Sequence, residues 1–151
     1  MKYADLGSIS TGTLRTEDLL PAFINALDAL LKRQPKGFAR APYRKALREA
    51  VRAYHSGNVD WMGDMFYEVE QMLHDFAPPY CFFGTHRNDG ADYGFWVIDS
   101  VLEEFDGLVV ESTAQVPWGY RGEVLYVNDH GNATLFVANA GRKLREIWSV
   151  V

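Results

Sequence analysis

Cysteine is nearly missing from this sequence. Cys81 is the only one in 151 residues, so no disulfide can close within the chain and a reducing compartment is expected. Long apolar runs are missing too. No stretch approaches the roughly 18 consecutive apolar residues that span a bilayer, and Met1-Lys2-Tyr3-Ala4-Asp5 lacks the apolar run of a secretion signal. The expectation is a cytoplasmic protein with no membrane partner. There is no phosphate-cradling glycine loop, no nucleophile elbow and no Cys-x-x-Cys pair, so no cofactor is implied. Basic residues are scarce in one region: from Asp60 to Glu111 only Arg87 stands against twelve carboxylates.

What is present suits an ordinary folded chain. Hydrophobic residues make up 48% and charged residues 23%, and a chain of this length fits one domain spanning residues 1–151. The net charge of −5 hides a division. Residues 1–57 carry ten Lys/Arg against five Asp/Glu, a net of +5, while residues 58–151 carry five against fifteen, a net of −10. Such asymmetry marks either two partner-facing surfaces or two halves that attract each other in one fold or in a dimer.

The hydrophobic period changes along the chain. Residues 1–15 are polar and rich in Gly, Ser and Thr, which reads as an irregular lead-in. Residues 16–77 read as helical. Leu19, Leu20, Phe23, Ile24, Leu27, Leu30 and Leu31 recur at helical spacing after Thr16, a candidate N-cap, and Pro21 is expected to distort the opening turn. A second helix is expected from Pro42, with Tyr43, Ala46, Leu47, Ala50, Val51 and Tyr54 as its apolar stripe. A third runs from Asp60 to Asp75 with Trp61, Met62, Met65, Phe66, Val69, Met72, Leu73 and Phe76 as its apolar set, until Pro78-Pro79 stops the pattern.

Residues 78–151 read as mainly β. Tyr80–Phe83 and Tyr93–Ile98 flank a polar connection over Gly84–Asp92, and Leu108–Val110 reads as a short strand. Glu123–Asn128 and Ala133–Ala138 flank Asp129-His130-Gly131-Asn132, a hairpin turn, and Asn139-Ala140-Gly141 leads into Leu144–Val151. Helices first and strands afterwards predict an α+β fold, three N-terminal helices packed on a C-terminal, mainly antiparallel sheet.

Several segments carry a resemblance: Ser10–Arg15, Pro78–Gly84 through Asp92–Trp96, Val127–Asn132 and Glu146–Val151, together about a quarter of the chain. They resemble small uncharacterised proteins of bacteriophage and mobile-element genomes. The resemblance carries no functional residues with it. It implies an accessory protein that modulates a host process, including defence systems, by binding.

Four kinds of candidate site compete with plain structural readings. His86, Asp89 and Asp92, with His130 and Asp129 from the other polar turn, hold metal-ligating groups. Their spacing matches no zinc pattern or calcium loop, and Asn88-Asp89-Gly90 is what a tight turn requires, so turn chemistry is preferred and no metal is expected. Cys81, beside Phe82, reads as a buried structural thiol. Tyr80, Phe82, Phe83, Tyr93, Phe95 and Trp96 can stack on bases only where one face of their sheet is open.

The charge runs say most. Arg44, Arg48 and Arg52 recur every four residues and, with Lys45, form a basic face on the second helix. Asp60, Asp64 and Glu68 form an acidic ridge of the same period, and Glu103, Glu104 and Asp106 extend the acidic excess. The preferred reading is a non-enzymatic binding protein whose acidic face engages a nucleic-acid-binding host protein as a nucleic-acid mimic. One alternative is direct nucleic-acid binding through the basic face. Another is a small metal-dependent hydrolase built from the polar turns.

Overall fold

The change of period at Pro78-Pro79 is where helices give way to strands in the structure, a computed structural model that describes residues 1–139 and 143–150. The fold is α+β. Its contacts divide the chain into two units, residues 1–97 and 98–151, each with its own sheet.

The first unit holds β1 (Gly7–Ser10), α1 (Thr16–Arg33), α2 (Ala41–Ser56), α3 (Val59–His74), β2 (Cys81–His86) and β3 (Asp89–Val97). The strands lie in the order β1-β3-β2, all antiparallel. The expected irregular lead-in is therefore corrected at Gly7–Ser10, which pairs with Gly94 and its neighbours along β3. Backbone demand explains it: the β3 edge needs a partner, and residues 7–10 are short polar and Ile side chains that fit a half-open edge.

Each helix is amphipathic and none is long enough to stand alone, so burial of one face holds it. In α1 the buried face is Leu19, Leu20, Phe23, Leu27, Leu30 and Leu31. One expectation at its start fails. Arg15, not Thr16, occupies the N-cap, without a side-chain cap; the Thr13 hydroxyl instead donates to Asp18 and accepts from Arg15 N–H. Pro21 lies inside α1, and the carbonyl that its missing N–H leaves without an i+4 donor belongs to exposed Glu17 in the first turn. In α2 the buried set is Ala46, Leu47, Ala50 and Ala53. Val51 and Tyr54, expected inside, are 39% and 40% exposed. Gly57, at φ 67, closes α2 in the left-handed conformation that glycine adopts without strain. Asn58 then caps α3, its side chain accepting from Trp61 N–H at 2.9 Å.

Phe23 is the centre of this core. Its ring stacks on Phe66 at 5.2 Å and meets the edges of Phe83 at 5.0 Å and Tyr93 at 5.3 Å. Fully burying such a side chain contributes about 2–3 kcal/mol. On the opposite face of β2–β3, Trp96 donates from its indole to the Gly84 carbonyl at 3.0 Å. Gly94 permits this: a Cβ there would stand 2.2 Å from the Gly7 oxygen and 2.8 Å from the Trp96 ring.

The second unit holds α4 (Val101–Glu104), β4 (Leu108–Val110), β5 (Gly122–Val127), β6 (Ala133–Asn139) and β7 (Lys143–Val150). The strands lie in that order; β4 pairs parallel to β5, so this sheet is mixed, and the other pairs are antiparallel. Val110, Val116, Val124 and Ala138 form one buried cluster with Tyr120 and Phe136. Leu125, Leu135 and Trp148 sit in register across the sheet and are also buried. The β5–β6 turn is built by Asn128, whose side chain accepts from His130 and Asn132 N–H, with Gly131 at φ 82. The turn expected at Asn139-Ala140-Gly141 lies partly outside the described residues.

Candidate functional site

The two polar turns come first. The expected long connection over Gly84–Asp92 is instead a tight hairpin with Arg87-Asn88 at its tip, because β2 runs to His86 and β3 starts at Asp89. His86 Nδ1 accepts from Asn88 N–H at 3.3 Å, and its ring meets Trp96 edge-on. Asp89 accepts from Ala91 N–H at 2.9 Å. Asp92 Oδ2 accepts from the Ser8 hydroxyl, tying β3 to β1, while its buried Oδ1 has no partner among the described residues. His130 and Asp129 are exposed, 3.6 Å apart. Among the described residues no group of three His, Cys, Asp or Glu side chains gathers as a metal-holding set.

Cys81 is buried, and desolvation pushes its thiol up to about 12. A thiol so held carries almost no thiolate at neutral pH. Of the aromatics, Phe83, Phe95 and Tyr93 pack on the helices, while Phe82 and Trp96 lie half-buried on the other face of the sheet. Tyr80 sits at φ 60 in the turn that Cys81 N–H closes on the Pro78 carbonyl.

The basic run is partly consumed by the fold. Arg40 donates to the Leu31 and Gln34 carbonyls and finishes α1. Arg33 pairs with Asp5, and Lys32 with Asp28. Arg44, Lys45, Arg48 and Arg52 are exposed and make no ion pair among the described residues. With Lys2, Lys36 and the carbonyl-bound Arg40 they are the part of the positive half left without an ion pair among the described residues. Arg48 and Arg52 border a groove of about 480 Å³ between α1 and α2, lined also by Ile24, Leu47 and Val51.

The acidic ridge stands clear on α3. Asp60, Asp64 and Glu68 are all exposed, with no ion pair among the described residues. Sequence reasoning missed what flanks them. Trp61, expected inward, is 37% exposed, and Tyr67 is 67% exposed. Position supplied the signal for Tyr67: it follows Asp60 by two helical turns and so shares its side. Glu70, further round the helix, is half-buried, and desolvation raises its carboxyl against the opposing effect of His74. Glu103, Glu104 and Asp106 are exposed as well, but they belong to the second unit, where Glu104 takes the Ser100 hydroxyl. A further hollow of about 530 Å³ in that unit is lined by Leu102, Val109, Glu111, Tyr126 and Asp129.

No described helix is long and apolar enough to cross a membrane. Compared with protein-family models, with curated proteins and with solved structures, the chain matches none.

Proposed function

We propose that this protein is a non-enzymatic binding protein whose α3 outer face engages a basic surface on another protein. The observation that carries this reading is the grouping of Asp60, Asp64 and Glu68 with exposed Trp61 and Tyr67 on one helix. Tyr and Trp are the residues that concentrate binding energy at protein interfaces, and surrounding carboxylates steer a cationic partner. Covering two exposed aromatic side chains removes apolar surface from water, which favours association. Carboxylates four residues apart are about 6 Å apart along the axis, close to every second phosphate of a nucleic-acid strand at about 3.4 Å per charge. A nucleic-acid-binding host protein is the partner this spacing suits, which agrees with the accessory role that the phage-like segments imply.

The test is displacement. A fluorescent duplex is bound to a purified basic nucleic-acid-binding protein that the tagged chain captures from bacterial lysate, and the chain is titrated in. Wild type is expected to release the duplex and Asp64→Lys with Glu68→Lys to fail. Release by both proteins alike would overturn the mimic reading.

A second reading, direct nucleic-acid binding through Arg44, Lys45, Arg48 and Arg52, draws on their exposure and their lack of ion pairs among the described residues. A salt-dependent shift of a labelled oligonucleotide, lost in Arg44→Glu with Arg48→Glu, would establish it instead.

A further inference from the structure

The groove between α1 and α2 is separate from the α3 face and has a different character. Ile24 and Val51 are partly open aliphatic side chains, and Leu47 lies beneath them. Val51 occupies a position in the apolar stripe of α2 yet is 39% exposed. The part of it left open faces the groove. Along one margin Arg48 and Arg52 are exposed and without an ion pair among the described residues, and Arg44 continues the row by one turn. On the α1 margin the single carboxylate, Asp28, is already neutralised by Lys32 at 2.6 Å. The result is an aliphatic trough with a cationic rim on one side.

We propose that this groove docks an acidic amphipathic helix of a partner protein, its apolar stripe on Ile24, Leu47 and Val51 and its carboxylates on Arg48 and Arg52. Charge complementarity selects the occupant. Arg44, Arg48 and Arg52 span eight residues of helix, about 12 Å, so carboxylates repeating every turn of a second helix meet them in step. Guanidinium groups bind carboxylates by paired hydrogen bonds, which fixes register as well as attraction. The aliphatic lining argues against nucleic acid in the same place. Single-strand sites combine a cationic track with aromatic rings on which successive bases stack, and the groove lining offers guanidinium groups at its rim but no aromatic ring. Phosphates laid over Ile24 and Val51 would lose hydration without gaining burial. A helix laid between two helices is a common recognition mode and buries apolar side chains where nucleic acid cannot.

The experiment uses the whole protein, isotopically labelled, and three probes. The first is a short helical peptide with leucines on one face and glutamates along its flanks. The second is the same peptide with lysines for glutamates, and the third is a single-stranded oligonucleotide. The acidic peptide is expected to shift the amide signals of residues 24–28 and 47–52, and its affinity to fall by about tenfold or more in Arg48→Glu with Arg52→Glu. Both arginines are exposed, so folding should survive; Arg48→Gln with Arg52→Gln serves as the milder control and should give a smaller fall. The lysine peptide and the oligonucleotide are expected to leave those signals in place. The proposal is overturned if the acidic peptide leaves these signals unmoved, if its affinity ignores the arginine reversals, or if the oligonucleotide binds there instead. Because α3 is untouched, loss of groove binding would leave the α3 reading standing.

Discussion

Gln34 holds the backbone of Lys2 at both of its polar atoms: its Oε1 accepts from Lys2 N–H at 2.8 Å and its Nε2 donates to Lys2 C=O at 2.7 Å. The same Nε2 also reaches the Leu30 carbonyl at 3.2 Å, so one side chain ends α1 and anchors the N-terminal segment. Gln34 is only 5% exposed. Replacing it with Leu leaves the partly buried Lys2 backbone and the buried Leu30 carbonyl without this partner and is expected to cost about 1–3 kcal/mol in urea unfolding. A loss below about 0.5 kcal/mol would show that these groups find other partners.

Two glycines should respond in opposite directions. Gly94→Ala places a methyl group 2.2 Å from the Gly7 oxygen, which is backbone and cannot rotate away. It is expected to destabilise by about 2 kcal/mol or more through loss of the β1–β3 pairing. Gly63, inside α3, has nothing within 4 Å of the new methyl. Gly63→Ala should stabilise by about 0.5–1 kcal/mol, since alanine is the better helix former. Thermal unfolding of both variants checks the pair.

Burial of the Cys81 thiol gives a pH prediction with a definite sign. Its folded value is pushed up to about 12 from the ordinary 9.0. Above 9 the unfolded chain releases the proton while the folded chain keeps it, so stability falls as pH rises from about 9 to about 12. Alkylation at pH 8 should be slow in the native protein and fast once it is unfolded. Cys81→Ala should remove this component of the alkaline loss; an unchanged pH slope would contradict it.

The helices were legible because their apolar residues recur at one period and Gly57 and Pro78 mark the ends. The hairpin at Asp129–Asn132 was legible from turn chemistry alone. Gly7–Ser10 was not, because a short edge strand of small polar residues has no period of its own; its partner on β3 defines it. Nor was the true tip of the β2–β3 hairpin. Asn88-Asp89-Gly90 looked like the turn, but ladder pairing carried both strands past it to His86 and Asp89. Among the charges, sequence gave the acidic and basic ridges. It could not tell that Arg40, Arg33 and Lys32 are spent on α1 and its neighbours, since that depends on tertiary partners.

The polar turns give a separate expectation. His86 and Asp89 already accept turn N–H groups, so elemental analysis of protein purified without an affinity tag should find no stoichiometric metal. One equivalent of zinc or manganese that disappears in His86→Ala or Asp89→Ala would restore the hydrolase reading for His86, Asp89, Asp92 and His130.

The central claim concerns the α3 face, and quantitative capture from bacterial lysate tests it most directly. Wild type, Asp64→Lys with Glu68→Lys, and Arg44→Glu with Arg48→Glu are compared as baits at matched concentration. All four side chains are exposed, so each variant should keep its stability within about 0.5 kcal/mol. The acidic reversal is expected to lose basic nucleic-acid-binding proteins that wild type retains, with the loss growing as salt is lowered, while the arginine reversal keeps them. An unchanged set of captured proteins in the acidic reversal, or the same loss in the arginine reversal alone, would contradict the account.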